Sequence, residues 1–160
     1  DRYASRGLGD VYKRQEYLIP FGAAHILREG TDITLVATSS MVQVAQTAAD
    51  RLDEHGVSAE VIDPRTIAPL DEETILASVK KTSRAIVIDE GHQSYGVTAE
   101  IAARIAEKAF YHLDAPVQRL GAMDVPIPFS PALEDLTVPT PEDVVARALM
   151  AMRGELFHVS

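Results

Sequence analysis

The sequence predicts an α/β domain in three layers, helices on both faces of a mostly parallel sheet of about five strands. Three observations lead there. Short apolar, β-branched runs recur along the chain, and between them lie longer stretches with apolar residues at helical spacing. The runs are apolar on both faces, as in strands covered from both sides. The size is also right: 160 residues, 46% of them hydrophobic, suffice for one sizeable core and hardly for two.

The first strand of this series is ITLVAT, Ile33 to Thr38. Ser39 or Ser40 then stands where a helix cap is needed, and Met41, Val44 or Ala45, Ala48 and Leu52 repeat at helical spacing to about His55, with Gly56 as the stop. VSAEVID, Val57 to Asp63, is the next strand and runs into the proline-bounded loop PRTIAPL. Asp71 is placed to cap a helix whose first turn holds Glu72 and Glu73 and whose end, KKTSR, is basic, as the helix dipole favours. AIVIDE forms a third strand, and Val97, Ile101 and Ile105 mark a helix to about Tyr111. PVQRLG, Pro116 to Gly121, is a short fourth strand. The proline-rich DVPIPFSPALEDLTVPT is extended, and Pro141 at the first helical position starts a last helix to about Met152.

The opening fifteen residues, DRYASRGLGDVYKRQ, share no pattern with the rest. DVYKRQ resembles the translation of an oligonucleotide used in preparing sequencing libraries, so residues 1–15 are expected to be a fusion remnant or a flexible arm and 16–160 the domain. On that reading the native gene product continues upstream of Glu16.

Charge and composition exclude several functions. The chain carries 15 basic and 24 acidic residues, a net charge of −9, without a basic cluster interleaved with aromatics, so no nucleic-acid partner is expected. No apolar run approaches the roughly 18 residues of a membrane span. Cysteine is absent, which removes thiolate catalysis and fits a cytoplasmic setting. The Rossmann, P-loop, zincin and hydrolase-elbow motifs are missing. His25, His55, His112 and His158 have no metal-ligand spacing.

Ligands of parallel sheets bind at the carboxyl ends of the strands. There the chain places TSS (Thr38 to Ser40), DPRT (Asp63 to Thr66) and DEGHQSYG (Asp89 to Gly96). Asp89 and Glu90 with His92 have the makings of an acid/base group, since a carboxylate beside an imidazole raises its pKa. The alternative is that both carboxylates cap the strand end and accept backbone or helix-end N–H groups while His92 is solvated. Arg65 suits a carboxylate or phosphate ligand, or else an ion pair with Asp63, Asp71 or a neighbouring subunit.

In combination, the stretches IPFGAAHILREGTDITLVATSSMV, AEVIDPRTIAPLDEETI, SVKKTSRAIVIDEGH, AEIAARIAEKAF, LDAPVQRLGAMDVPIPFSPALED and VPTPEDVVARAL carry a resemblance. From about Tyr17 to Ala151 the chain resembles the transketolase-like C-terminal domain of the beta subunit of thiamine-diphosphate-dependent 2-oxo acid dehydrogenases, the family of the pyruvate, branched-chain and acetoin enzymes. The resemblance implies an α2β2 enzyme that decarboxylates a 2-oxo acid on thiamine diphosphate and Mg and passes the acyl group to the lipoyl arm of an acyltransferase. It places the cofactor on the alpha subunit and on a pyrimidine-binding domain upstream of Tyr17, so this chain alone is expected to bind no cofactor and to hold no catalytic residue.

The motif D-x-R-T-x-x-P-x-D falls on Asp63, Arg65, Thr66, Pro69 and Asp71 and is implied to be architectural. Glu90 and His92 are expected at a subunit interface with the alpha or second beta subunit. For the basic peripheral subunit-binding domain of the acyltransferase, the resemblance points to HLDAP, with Asp114 as the docking carboxylate, and to the C-terminal helix. The remaining readings are a noncatalytic docking module and an independent small-molecule-binding domain.

Overall fold

The structure, a computed structural model, describes residues 19–130, 133 and 136–155; the segment 1–15, Glu16, Tyr17 and His158 lie outside the described residues. A five-stranded sheet is formed by β1 (His25–Arg28), β2 (Ile33–Ala37), β3 (Ala59–Asp63), β4 (Ala85–His92) and β5 (Gln118–Ala122) in the order β1-β3-β2-β4-β5. Four strands are parallel, and β1 joins β3 antiparallel, with His25 opposite Asp63. Among the described residues four α-helices accompany them: α1 (Met41–Glu54), α2 (Glu72–Thr82), α3 (Val97–Ala109) and α4 (Pro141–Met152).

The layers follow from strand alternation. Ile33, Leu35 and Ala37 of β2 point to a core shared with Ala45, Ala48 and Leu52 of α1 and Val144 and Ala148 of α4. Val36 of β2, Ile62 of β3 and Val87 of β4 point the other way, onto Ile75 and Val79 of α2 and Ile101 and Ile105 of α3. All five β2 residues are buried. Each fully buried Ile, Leu or Val contributes about 1.5–3 kcal/mol, before the entropy of ordering is subtracted. The chain moves from β2 outward to β3 on one face and returns across β2 to β4 on the other, so its successive crossovers share one hand.

Local signals account for the helix ends. Asp71 caps α2 by accepting the Thr74 N–H at 3.1 Å, and Lys80 and Lys81 sit in its last turn. Thr140 and Asp143 form a reciprocal capping box across the first turn that Pro141 opens. At α1 the expectation of a serine cap is not met. Ser40 stands at the cap position but makes no side-chain bond to the helix, because its hydroxyl is taken by Glu90.

β1 is the element that periodicity does not reveal. It has four residues, two of them exposed, and it is fastened by side chains distant in sequence. The Gly22 N–H donates to Thr66 Oγ1 at 3.0 Å and the Ala24 N–H to Asp71 Oδ2 at 2.8 Å. At its other end Arg28 pairs with Asp50 of α1 at 2.5 Å and with Asp53.

At the amino end of the sheet one charge is buried. Glu60 of β3 is almost fully enclosed and accepts from the Gly30 N–H at 3.2 Å and from the Lys81 amine, which also bonds Glu29 at 3.2 Å. Burial pushes its carboxyl up, but Lys81, Ser78 and the Gly30 N–H outweigh that and hold it below the usual range. Beside it the buried Thr34 hydroxyl meets those of Ser78 and Thr82, each at 2.7 Å.

Gly30 passes so close to β3 that an added Cβ would lie 2.2 Å from the Ala59 carbonyl carbon and from the Glu60 nitrogen, both backbone atoms. Gly30→Ala is therefore expected to lower unfolding free energy by about 2 kcal/mol or more. Urea denaturation checks this, and an unchanged midpoint would show that the turn shifts freely.

Candidate functional site

The carboxyl ends of β2, β3 and β4 bring the three predicted loops together. Thr38 donates to Asp89 Oδ1, while Asp89 Oδ2 accepts the Gly91 N–H at 3.1 Å. Ser39 donates to Glu90 at 3.0 Å and Ser40 donates to the other oxygen of the same carboxylate. These hydroxyls hold the Glu90 carboxyl below its ordinary range, against a smaller opposing effect of desolvation. Both carboxylates are thus engaged by hydroxyl and N–H donors of loop residues.

His92 lies at the end of β4, opposite Ala122 and exposed. The next residues are pinned to the loop after β5: Ser94 donates its N–H at 3.2 Å and its hydroxyl at 2.5 Å to Asp124. Those bonds depress the Asp124 carboxyl, with His92 and Arg119 adding to the effect. Arg119 in turn donates to the Gln93 carbonyl at 3.1 Å.

In DPRT, the Arg65 N–H donates to Asp63 Oδ1 at 2.8 Å. Thr66 Oγ1 donates to the Pro69 carbonyl at 2.6 Å while accepting from Gly22, and Pro69 follows a cis peptide bond. Asp71, the last residue of the motif, accepts the Ala24 N–H and both the N–H and hydroxyl of Thr74. Among these residues Thr66 and Asp71 hold the chain leading into β1, and Asp63 lies beside β1 in the sheet. Asp63, Arg65 and Asp89, with Thr38, Ser39 and Val97, surround a cavity of about 300 Å³.

One feature of these loops escapes sequence reasoning. Ser39, Arg65 and Tyr95, one in each loop, have φ of +51°, +59° and +59°, the left-handed region that side chains disfavour by about 1–2 kcal/mol. None is Gly or Asn, the usual signal for such a position. Tyr95 is also fully exposed, at 103%. Around this end stand further exposed apolar side chains, among them Phe21, Met123 and Ile127.

Asp114 is at the other end of the sheet. Its N–H donates to the Ser83 carbonyl at 2.9 Å and its carboxylate lies 3.5 Å from Arg84. It borders an apolar groove of about 660 Å³ between α3 and the segment before β5, lined by Ala106, Phe110, Tyr111, Leu113 and Pro116. Phe110 and Tyr111 meet edge to face, with ring centres 5.4 Å apart. Among the described residues no group of three or more His, Asp or Glu side chains is placed to hold a metal ion. No described helix is long and apolar enough to cross a membrane.

A family model described as the transketolase C-terminal domain matches residues 22–144. Over 133 residues, 83% of the chain, the sequence is 48% identical to the acetoin:2,6-dichlorophenolindophenol oxidoreductase subunit beta of Bacillus subtilis. It is 50% identical over 129 residues to the mitochondrial pyruvate dehydrogenase E1 component subunit beta-1 of Arabidopsis thaliana. The chain spans 39% and 36% of the length of these two relatives. Among solved structures, a split-gene transketolase, described as an inactive beta4 tetramer, superposes with a TM-score of 0.75 at 29% identity, over 88% of this chain and 45% of that one. A transketolase variant from Pichia stipitis shares the fold, with a TM-score of 0.58 at 22% identity over 82% of this chain and 18% of that one.

For Asp71, burial alone would raise the carboxyl, but the Ala24 N–H and both Thr74 donors bring it below its ordinary range. A depressed folded value means that the carboxylate contributes stability above the unfolded value, about 3.9, and that this share drains away as pH falls through the lower folded value. Asp71→Ala is expected to cost about 1–2 kcal/mol at pH 7. The gap to the unmodified chain should narrow in acid, as urea midpoints measured from pH 7 to pH 3 will record. A gap independent of pH would mean that the bonds to Ala24 and Thr74 do not depend on the charge.

Proposed function

Because the chain belongs to the transketolase C-terminal domain family, in the form carried by beta subunits of the pyruvate and acetoin dehydrogenases, we propose that it serves assembly and docking in such a beta subunit. The complete enzyme is read as a 2-oxo acid dehydrogenase, α2β2, in which thiamine diphosphate with Mg supplies the carbanion chemistry of decarboxylation. The described residues of this chain do not fit that cofactor. Its strand-end cavity carries the carboxylates of Asp63 and Asp89 and one arginine, a poor match for a diphosphate, and Asp89 and Glu90 are already engaged. No step of the reaction is therefore assigned to it.

Two poles of the domain divide the work. At the strand-end pole, Tyr95, Phe21, Met123 and Ile127 are exposed around a hydrogen-bonded floor, which suits burial against the alpha subunit and the second beta subunit. Glu90 and His92 belong to this pole. At the opposite pole, the apolar groove beside Asp114 suits the basic peripheral subunit-binding domain of an acyltransferase. The observation that carries the docking reading is that groove with a carboxylate at its edge, in a chain of net charge −9 that would steer a basic partner toward it. The inactive beta4 assembly of the split-gene transketolase supports association of such a chain without turnover.

The purified chain, given a 2-oxo acid, thiamine diphosphate, Mg and a lipoyl domain, is expected to release no carbon dioxide; turnover above the enzyme-free control would overturn the noncatalytic reading. Calorimetry with the isolated peripheral subunit-binding domain is expected to show binding. Asp114→Lys should weaken it by about five-fold or more, since an exposed attraction becomes a repulsion. An unchanged affinity would remove Asp114 from the docking surface.

A further inference from the structure

Asp114 does not face solvent as a bare charge. Arg84, the residue before β4, holds Nη2 3.5 Å from Asp114 Oδ2. This is a poorly matched pair. The separation exceeds a charge-assisted hydrogen bond, and the Arg84 Nε is buried without a hydrogen-bond partner. The guanidinium is mostly covered, at 22% exposure, while the Asp114 side chain is 60% exposed. Its backbone is fixed, because the Arg84 carbonyl accepts the Thr34 N–H at 2.9 Å and the Thr82 hydroxyl at 3.0 Å.

We propose that Arg84 is an internal counter-ion that masks Asp114 and that a basic partner must compete with it, so that Arg84 sets the affinity and salt response of docking at this pole. The inference rests on the docking reading of Asp114 given above. Arg84 gains little from its own position: one nitrogen is desolvated and unpaired, and the ion pair is long. Its field is nevertheless felt by the carboxylate, because a cation at this distance partly cancels the attraction offered to an incoming lysine or arginine. The place of Asp114 does not depend on Arg84, since its own N–H is bonded to the Ser83 carbonyl. Removing the guanidinium therefore unmasks the carboxylate without releasing it. A methionine retains an apolar stem of similar length and leaves no unpaired donor behind.

The test is calorimetric titration of the full chain with an acyltransferase peripheral subunit-binding domain at low and high salt, using the unmodified chain, Arg84→Met, Asp114→Asn and the double variant. Arg84→Met is expected to tighten binding by about two- to five-fold at low salt, the range of an exposed ion pair. The gain should shrink at high salt and vanish in the Asp114→Asn background. If Asp114→Asn weakens binding but Arg84→Met leaves it unchanged or weaker, the counter-ion inference fails while the docking reading stands. If Asp114→Asn has no effect, the docking reading fails, and the inference with it. Arg84→Gln, compared by circular dichroism and titrated in parallel, is expected to give the same gain and decides the matter should the methionine variant not fold.

Discussion

The strand Ile33–Ala37 has no side that faces water, and the arrangement of the domain follows from having to cover it twice. Apolar residues on both faces require helices above and below, which the chain provides by crossing first to β3 on one face and then back to β4 on the other. The same reversal gathers the loops after β2, β3 and β4 at one end of the sheet. Covering β2 also brings Thr34 against α2, where only a polar answer avoids an unpaired hydroxyl; Ser78 and Thr82 provide it. Glu60, one strand away on the same face, is tolerated because Lys81 and the Gly30 N–H close around it.

Much of this was legible in the sequence. Four of the five strands announce themselves as apolar runs bounded by turn residues, and Asp71 and Pro141 mark the starts of their helices. The exceptions share a cause: each depends on a partner far along the chain. β1 has only four residues and is held by Thr66, Asp71, Asp50 and Asp53, none of which local pattern can pair with it. Ser40 looks like a helix cap until Glu90, fifty residues on, claims its hydroxyl. Asp89 and Glu90 read equally as an acid/base group or as capping groups, because sequence does not reveal that Thr38, Ser39 and Ser40 fold over them. The left-handed residues Ser39, Arg65 and Tyr95 lack the glycine that would have betrayed them.

The two ends of the sheet spend their polar groups differently. At the carboxyl ends, acids meet hydroxyls and backbone N–H groups within the chain, leaving the aromatic and aliphatic residues around them without cover. At the opposite end a groove stays apolar along its walls and carries its charge at the margin. The two surfaces thus differ in kind, one apolar around a hydrogen-bonded floor and one apolar with a charge at its edge, on a domain of the transketolase C-terminal family.

The antiparallel edge strand has a consequence for how the chain acquires its shape. β1 comes first in the sheet, yet its backbone partner β3 begins more than thirty residues later, and the carboxylate that receives Ala24 lies 47 residues beyond it. Pairing β1 with β3 therefore closes a loop of more than thirty residues, an entropic cost offset only once β3 and the side chains that fasten β1 are in place.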